Sequence, residues 1–504
     1  MRNQVQLIAY VDRLSGGGFR ELQELLDGPF AGLFGGAHLL PFFHPIDGAD
    51  AGFDPIDHTQ PDSRLGSWQD LRRLAEGREL MADLIVNHVS SRSPQFEDFC
   101  RKGAASSYAD FFLTLNRVFP KGATESDLLQ VYRLRANLPF TAVQMQDGSE
   151  RLLWTTFSSG QIDIDVRSSA GKTYLAQILN QFQSAGVRAI RLDAAGFAIK
   201  KAGTSCFMIP ETFDFIAGLA TQAHALGIEV LVEMHGHPQD QIQIARQVDW
   251  VYDFVLPPLV LHALYTRSSG PLKHWLTMSP RNAVTVLDTH DGIGVTDVGA
   301  VRKDEKLLPG LLDSAEIANL VETIHQRSNG ESRKASGTEA ANLDVSQVNC
   351  TFYDALGRRD ADYLIARALQ FFAPGVPQVY YVGLLAGVND MDLLHRTSEG
   401  RDINRHYYTA HEIEAELRRP VVRKHFELIR FRNTHAAFGG DFNLLPVGDQ
   451  EVCIEWRNGS QSARLEVDLK AMHGAITYSA DGEERRLALV PSAPQPGPSQ
   501  EVVP

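Results

Sequence analysis

Eight short apolar runs, mostly separated by helix-patterned stretches, predict an α/β fold. The expected architecture is a closed parallel (β/α)8 barrel of the TIM type, with insertions after strands 3 and 7 and a small C-terminal β domain. Two further observations support it. The chain has 504 residues, whereas such a barrel needs about 250, and the surplus falls in two long intervals that each follow an apolar run. Four of the runs also end in carboxylates or imidazoles, which a barrel would gather at one mouth. An open doubly wound sheet is the runner-up. No GxGxxG follows any run, which counts against a nucleotide-binding version.

The expected strands are Gln6–Val11, Ala31–Phe43, Leu80–Val89, Ala189–Asp193, Ile228–Met234, Trp250–Leu256, Ala283–Asp288 and Val376–Val382. Among the helices, Ser67–Glu76 opens on a capping serine and spaces its apolar residues three to four apart, and Lys172–Ala185 keeps the same period. Pro210–Leu226 opens on Pro and Glu and stops at Gly227. Asp360–Phe372 and Glu412–Phe438 are amphipathic too. The barrel is assigned residues 1–89, 168–292 and 358–438. The insertion 90–167 is rich in Ser, Phe and Arg, and the insertion 293–357 holds turn-rich stretches such as Gly330–Thr338. From 439 to 504 the runs shorten and alternate (Val452–Trp456, Ala463–Val467, Arg486–Val490), which reads as a β domain. Its end, PSAPQPGPSQEVVP, is expected to be loose.

Composition is that of an ordinary globular protein, 43% hydrophobic and 22% charged. A net charge of −14 argues against nucleic acid or an anionic membrane as the main partner. The four cysteines (Cys100, Cys206, Cys350, Cys453) are far apart and form no CxxC, which suits buried thiols in a reducing compartment. The opening MRNQVQLIAYVDRL has no signal-peptide pattern, and no apolar stretch reaches about 18 residues. A cytoplasmic protein is expected.

The chemistry stands at the strand ends. Run three gives Asp83, Asn87 and His88; run four, Arg191 and Asp193; run five, Glu233 and His235; run seven, Asp288, His290 and Asp291. Arg191 and Asp193 are two apart and so share a strand face. Taken alone, that pair reads equally well as a structural ion pair. Four converging sets do not, because crowded like charges cost stability unless catalysis uses them. Paired carboxylates with imidazoles and an arginine, and no Ser or Cys nucleophile motif, suit glycosidic-bond cleavage. Metal binding through His88, His235, His237 and His290 competes, but there is no HExxH and no complete zinc signature.

In order, DLIVNH, RLDAAG, EMHG and LDTHDG resemble the four sequence blocks of the α-amylase superfamily, glycoside hydrolase family 13. AGFDPIDHTQPDSRLGSW (51–68), PGVPQVYYVG (374–383) and GRDINRHYY (400–408) resemble its sucrose phosphorylase branch, and the likeness runs from residue 5 to about 436. The resemblance implies Asp193 as nucleophile, Glu233 as general acid/base and Asp291 as transition-state stabiliser. It implies that Asp50, His88, Arg191, His290 and Arg401 hold the glucose, with Phe53 as a stacking platform and Arg191 keeping Asp193 ionised. It further implies a glucosyl-enzyme attacked by phosphate to give α-D-glucose 1-phosphate with retention. The two carboxyls flanking the sugar would then be about 5–5.5 Å apart. Arg135 would meet the phosphate, facing the loop Asn342–Gln347 with Asp344 and Gln347 as its polar lining. The α-amylase calcium ligand at the Asn87 position usually goes unused in this branch, so no metal and no cofactor are expected. Homodimers occur in the branch, and the expected partners are a sugar and phosphate.

Four acceptor-side positions depart from the branch. Leu134 stands where proline is usual, Ser346 and Phe197 where tyrosine is usual, and Met234 where valine is usual. The missing tyrosine at 346 weakens the case for sucrose. Neither Leu134 nor Ser346 supplies the cation that a phosphorylated or acidic leaving group would need. A small neutral leaving group, glycerol from glucosylglycerol, is therefore the expectation, with sucrose next and a glucosidase or transglucosidase of the same superfamily behind.

Overall fold

The computed structural model describes residues 1–48, 50–133, 138–303, 306–336 and 346–489. One strand from each expected run joins a closed parallel barrel. The strands are β1 (Gln6–Ala9), β2 (Gly36–Leu39), β3 (Glu79–Ile85), β4 (Val187–Asp193), β5 (Glu229–Val232), β6 (Trp250–Asp253), β7 (Ala283–Thr285) and β8 (Val376–Tyr380). The ring shuts where β8 pairs with β1 through Gln6↔Gln378, Leu7↔Val379 and Ile8↔Tyr380.

Strand alternation decides what enters the lumen. Met81, Ala189, Leu231, Tyr252 and Val284 form a separate apolar cluster inside the ring. The intervening Leu80, Ala82, Ile190, Leu192, Val230 and Val251 join the main core beneath the helices. Asp83, Arg191 and Asp193 carry the lumen parity, and the register Arg191↔Asp83 sets cation beside anion. Below them runs a buried polar chain. Asp83 Oδ2 lies 3.0 Å from His38 Nε2, His38 Nδ1 lies 3.3 Å from the Tyr252 hydroxyl, and that hydroxyl donates to Gln378 Oε1 at 2.8 Å.

Several strands are shorter than expected, for local reasons. The run Leu80–Val89 breaks after Ile85, and His88–Ser90 turns to pair antiparallel with Gln161–Asp163 of the first insertion. The run Trp250–Leu256 stops at Asp253, whose Oδ1 accepts the N–H groups of Val255 and Leu256 and leads the chain into the helix Leu256–Thr266. Ser67 caps Trp68–Leu74, and Pro210 opens Pro210–Ala225. The amphipathic stretch 412–438 is not one helix. It divides into Ala410–Glu416 and Pro420–Thr434 because Pro420 has no N–H to continue the first and suits the first turn of the second. Glu331–Ser336, expected as turns, is helical.

The segment after β3 adds the hairpin Phe140–Gln144/Glu150–Trp154, and the segment after β7 adds the helix Ser314–Arg327. Beyond the barrel, β9 (Asp441–Leu444), β10 (Glu451–Asn458), β11 (Gln461–Asp468), β12 (His473–Ala480) and β13 (Glu483–Ala488) form one antiparallel sheet. Trp456 Nε1 on β10 donates to Phe372 O at 2.9 Å and ties the sheet to the barrel's outer helix Asp360–Phe372. The Pro/Ser-rich tail lies outside the described residues. The four cysteines form no disulfide. Among the described residues no helix is long and apolar enough to cross a membrane.

Candidate active site

A pocket opens at the C-terminal ends of the strands. Asp50 and Phe53 reach it from beyond β2, His88 from beyond β3, Asp193 from β4, Glu233 from just past β5, His290 and Asp291 from beyond β7, and Arg401 from beyond β8. Arg191 lies beneath, 1% exposed. Its guanidinium is shared three ways. Nη1 stands 2.5 Å from Asp83 Oδ1 and 3.0 Å from Asp193 Oδ1, and Nη2 stands 2.5 Å from Glu233 Oε1.

That sharing corrects the expectation that Arg191 keeps Asp193 ionised. One positive charge serves three carboxylates, of which Asp83 and Asp193 are buried and Glu233 half-buried. Burial pushes the Asp193 carboxyl well above the usual range, Arg191 pulls it down, and Glu233, Asp83 and Asp291 push it up again. The deeper Asp83 is held down to about 2: burial opposes ionisation, but His38 and Arg191 outweigh it. Crowding of carboxylates around one cation thus opposes the charge on Asp193.

Asp291 is the opposite case. Arg401 Nη1 lies 2.7 Å from its Oδ1, and Arg405 Nη2 lies 3.9 Å away. Burial works against its charge, but Arg401 and Arg405 hold the carboxyl well below the usual range. Arg405 is itself fixed by donating from Nε to His290 O at 2.8 Å. His290 stacks on Phe53 with ring centroids 4.8 Å apart and 8° between planes. Burial drives its pKa down to about 3, so the ring is neutral. His88 Nε2 contacts Phe53 O at 2.8 Å, and burial lowers its pKa as well. The Phe53 ring thus meets His290, with the Arg191 guanidinium 5.4 Å from its centroid.

Aromatic residues make the wall opposite. Phe197 packs on Phe207 at 4.6 Å and on Phe157 at 5.3 Å, and Tyr132 stacks on Phe207 at 4.6 Å. Met234, Ser346 and Gln347 complete this side. Gln347 Oε1 accepts from Gly292 N at 3.2 Å and lies 3.5 Å from Arg401 Nη2. Leu134, Arg135 and Asp344 lie outside the described residues.

The metal reading divides. His237 turns away, accepting from Gln239 N and placing Nε2 3.1 Å from Pro309 O. Glu233, His235 and Asp291 do come together, one polar atom of each within 4.8 Å of the others. His235, however, is raised to about 9: burial lowers it, and Asp297, Glu233 and Asp291 more than offset that. A ring protonated at neutral pH is a poor metal ligand. At Asn87 a cation is already present, since Lys200 Nζ stands 2.9 Å from both Asn87 Oδ1 and Asp163 Oδ2.

Sequence reasoning missed Asp297, Lys200, Arg405, Phe157 and Phe207. Arg405 stands in GRDINRHYY (400–408), where nothing in the spacing sets it apart from its neighbours. The others sit in the two insertions or beyond β4, where no periodicity marks them.

The chain is similar to known proteins along most of its length. The catalytic-domain model of α-amylase matches residues 34–245. The chain is 59% identical to a sucrose phosphorylase of Agrobacterium vitis over 95% of this chain and 98% of the relative, and 51% identical to that of Bifidobacterium adolescentis over 93% of each. A glucosylglycerol phosphorylase of Marinobacter adhaerens is 39% identical over 97% of this chain and 99% of the relative. Among solved structures, a sucrose 6F-phosphate phosphorylase from Thermoanaerobacter thermosaccharolyticum superposes with a TM-score of 0.88 at 39% identity, covering 97% of this chain and 98% of that one. The chain belongs to the α-amylase family, glycoside hydrolase family 13. Within that family its relatives make it an enzyme of the glycosyltransferase type, a glucoside phosphorylase.

Proposed function

We propose that this protein is a retaining phosphorylase acting on sucrose. The observation that carries the donor is identity: 59% and 51% to two sucrose phosphorylases, against 39% to a glucosylglycerol phosphorylase. The balance reverses the order expected from the acceptor-side substitutions.

In this reading Asp193, at the lumen end of β4, attacks the anomeric carbon while Glu233 gives its proton to the departing fructose oxygen. Arg191, in contact with both carboxylates, keeps the two groups aligned. Asp291, held as an anion by Arg401 and Arg405, faces the ring hydroxyls and the developing positive charge. Phosphate then displaces Asp193 to give α-D-glucose 1-phosphate. No cofactor takes part.

Ser346, Phe197 and Met234 favour glucosylglycerol as a second reading, because they lack the usual tyrosine hydroxyls and bring no cation, which suits a small neutral leaving group. One experiment separates the two. With glucose 1-phosphate as donor, phosphate release is measured against fructose, fructose 6-phosphate, glycerol and glycerate. Fructose is expected to react fastest; glycerol ahead of fructose would replace sucrose with glucosylglycerol. Release of glucose and fructose from sucrose at a rate indifferent to phosphate, with no glucose 1-phosphate formed when phosphate is present, would overturn the phosphorylase reading itself.

A further inference from the structure

His235 follows Glu233 by two residues and is gripped from outside β5. Its Nδ1 lies 3.0 Å from Asp297 Oδ2, and Asp297 Oδ1 accepts from Gly236 N at 2.7 Å. Asp297 is 1% exposed and belongs to the segment after β7. Gly294 leaves it the room, since a Cβ there would come within 2.5 Å of Asp297 Oδ2. The imidazole lies flat on Phe254, with ring centroids 4.1 Å apart and 10° between planes. Among the described residues Nε2 is buried and has no hydrogen-bond partner. Gln347, paired with Gly294 across a short antiparallel ladder, lines the same pocket.

We propose that Asp297 is a positioning residue for the phosphate step, which orients His235 through Nδ1 so that its Nε2–H meets an incoming phosphate oxygen beside Glu233. The proposal rests on the phosphorylase reading. Once the leaving group has taken the proton of Glu233, phosphate must enter a pocket that holds two carboxylates, Glu233 and Asp291. Arg191 and Arg401 lie beyond these, each already paired. The groups facing the ring are Asp297, Glu233 and Asp291, all acidic, and they keep it a cation. A donor fixed at that point offsets the repulsion and favours phosphate over water.

The step balances. An oxygen of HPO4²⁻ bonds to the anomeric carbon, the carbon–oxygen bond to Asp193 breaks with its electron pair, and Asp193 leaves as carboxylate. The phosphate proton passes to Glu233 and restores the acid. His235 donates a hydrogen bond throughout and neither loses nor gains a proton.

Asp297→Asn keeps the size and the bond from Gly236 N, but its amide donates to Nδ1 and leaves the ring neutral. α-D-Glucosyl fluoride as donor removes the leaving-group question, and capture of the glucosyl-enzyme by phosphate is measured against capture by water. In Asp297→Asn the KM for phosphate is expected to rise about tenfold, the gain of a charge-assisted hydrogen bond over a neutral one, with hydrolysis changed by less. The alkaline loss of kcat/KM for phosphate, expected near pH 9, should move toward neutrality. Asp297→Glu should recover part of both. His235→Gln should reproduce the defect, and the double variant should be no worse than either single one. Equal loss of phosphorolysis and hydrolysis, an unmoved alkaline limb or additive defects would overturn the proposal. A wild-type enzyme that captures no phosphate would instead remove the phosphorylase reading.

Discussion

Asp193 and Glu233 sit on the two terminal nitrogens of one guanidinium, at 3.0 Å and 2.5 Å from Arg191. The pair is thereby held at one spacing by a single side chain. The same arginine also touches Asp83, so the alignment of the pair depends on a third carboxylate that is wholly buried.

Asp193→Ala and Glu233→Gln should each lose at least about a thousandfold in turnover, as removal of groups that act as a unit does. The check is glucose 1-phosphate formation at saturating donor and phosphate. Near-normal turnover in either variant would mean the roles are wrongly assigned.

Phe197→Tyr restores a hydroxyl to the aromatic wall, and Ser346→Tyr restores a ring beside Gln347. Together they should raise the rate with fructose relative to glycerol by about fivefold, the scale of one neutral hydrogen bond. An unchanged ratio would place leaving-group choice elsewhere, in the residues around Arg135 and Asp344.

His58 and His290 are both buried, and burial lowers them from 6.5 to about 4 and about 3. Unfolding lets each bind a proton at a pH where the native ring does not. Their contribution to stability is therefore whole above pH 6.5 and is lost as the pH falls toward 4 and then 3. The slope within that window is about 1.4 kcal/mol per pH unit for each ring. Urea unfolding between pH 7 and pH 4.5 measures it, and a flat profile would refute it.

Lys200→Met should destabilise the fold by about 3–5 kcal/mol, because it strands the buried Asp163 carboxylate without its cation. The same residue touches Asn87 and donates to Phe197 O, so the acceptor wall should loosen with it. Equal urea midpoints for variant and wild type would show that Asp163 has other support.

The barrel was legible because its signal is local. Eight apolar runs carry eight strands, and the strand-end carboxylates mark the mouth. Strand ends were less legible, since Asp253 and His88 stop their strands through partners far away or bonds that periodicity does not record. The division at Pro420 was readable and was outweighed by the apolar pattern around it. Sequence proximity correctly coupled Arg191 to Asp193 but could not show that Arg191 also serves Asp83 and Glu233, which lie on neighbouring strands. Asp297 left no trace either. Its meaning comes wholly from standing 3.0 Å from a histidine 62 residues earlier.

The ring closes only when β8 pairs with β1, and Arg401 reaches the pocket from beyond that last strand. A ribosome that has released the first seven strands has therefore made no pocket at all, because the opening strand still lacks its neighbour and Asp291 its nearest cation. Catalytic competence should appear abruptly and late in synthesis, after a long wait in which β1 exposes an unpaired edge. Nascent chains halted short of residue 401 would be natural clients for a chaperone, and recovered activity would report completion of the whole circle rather than of any part.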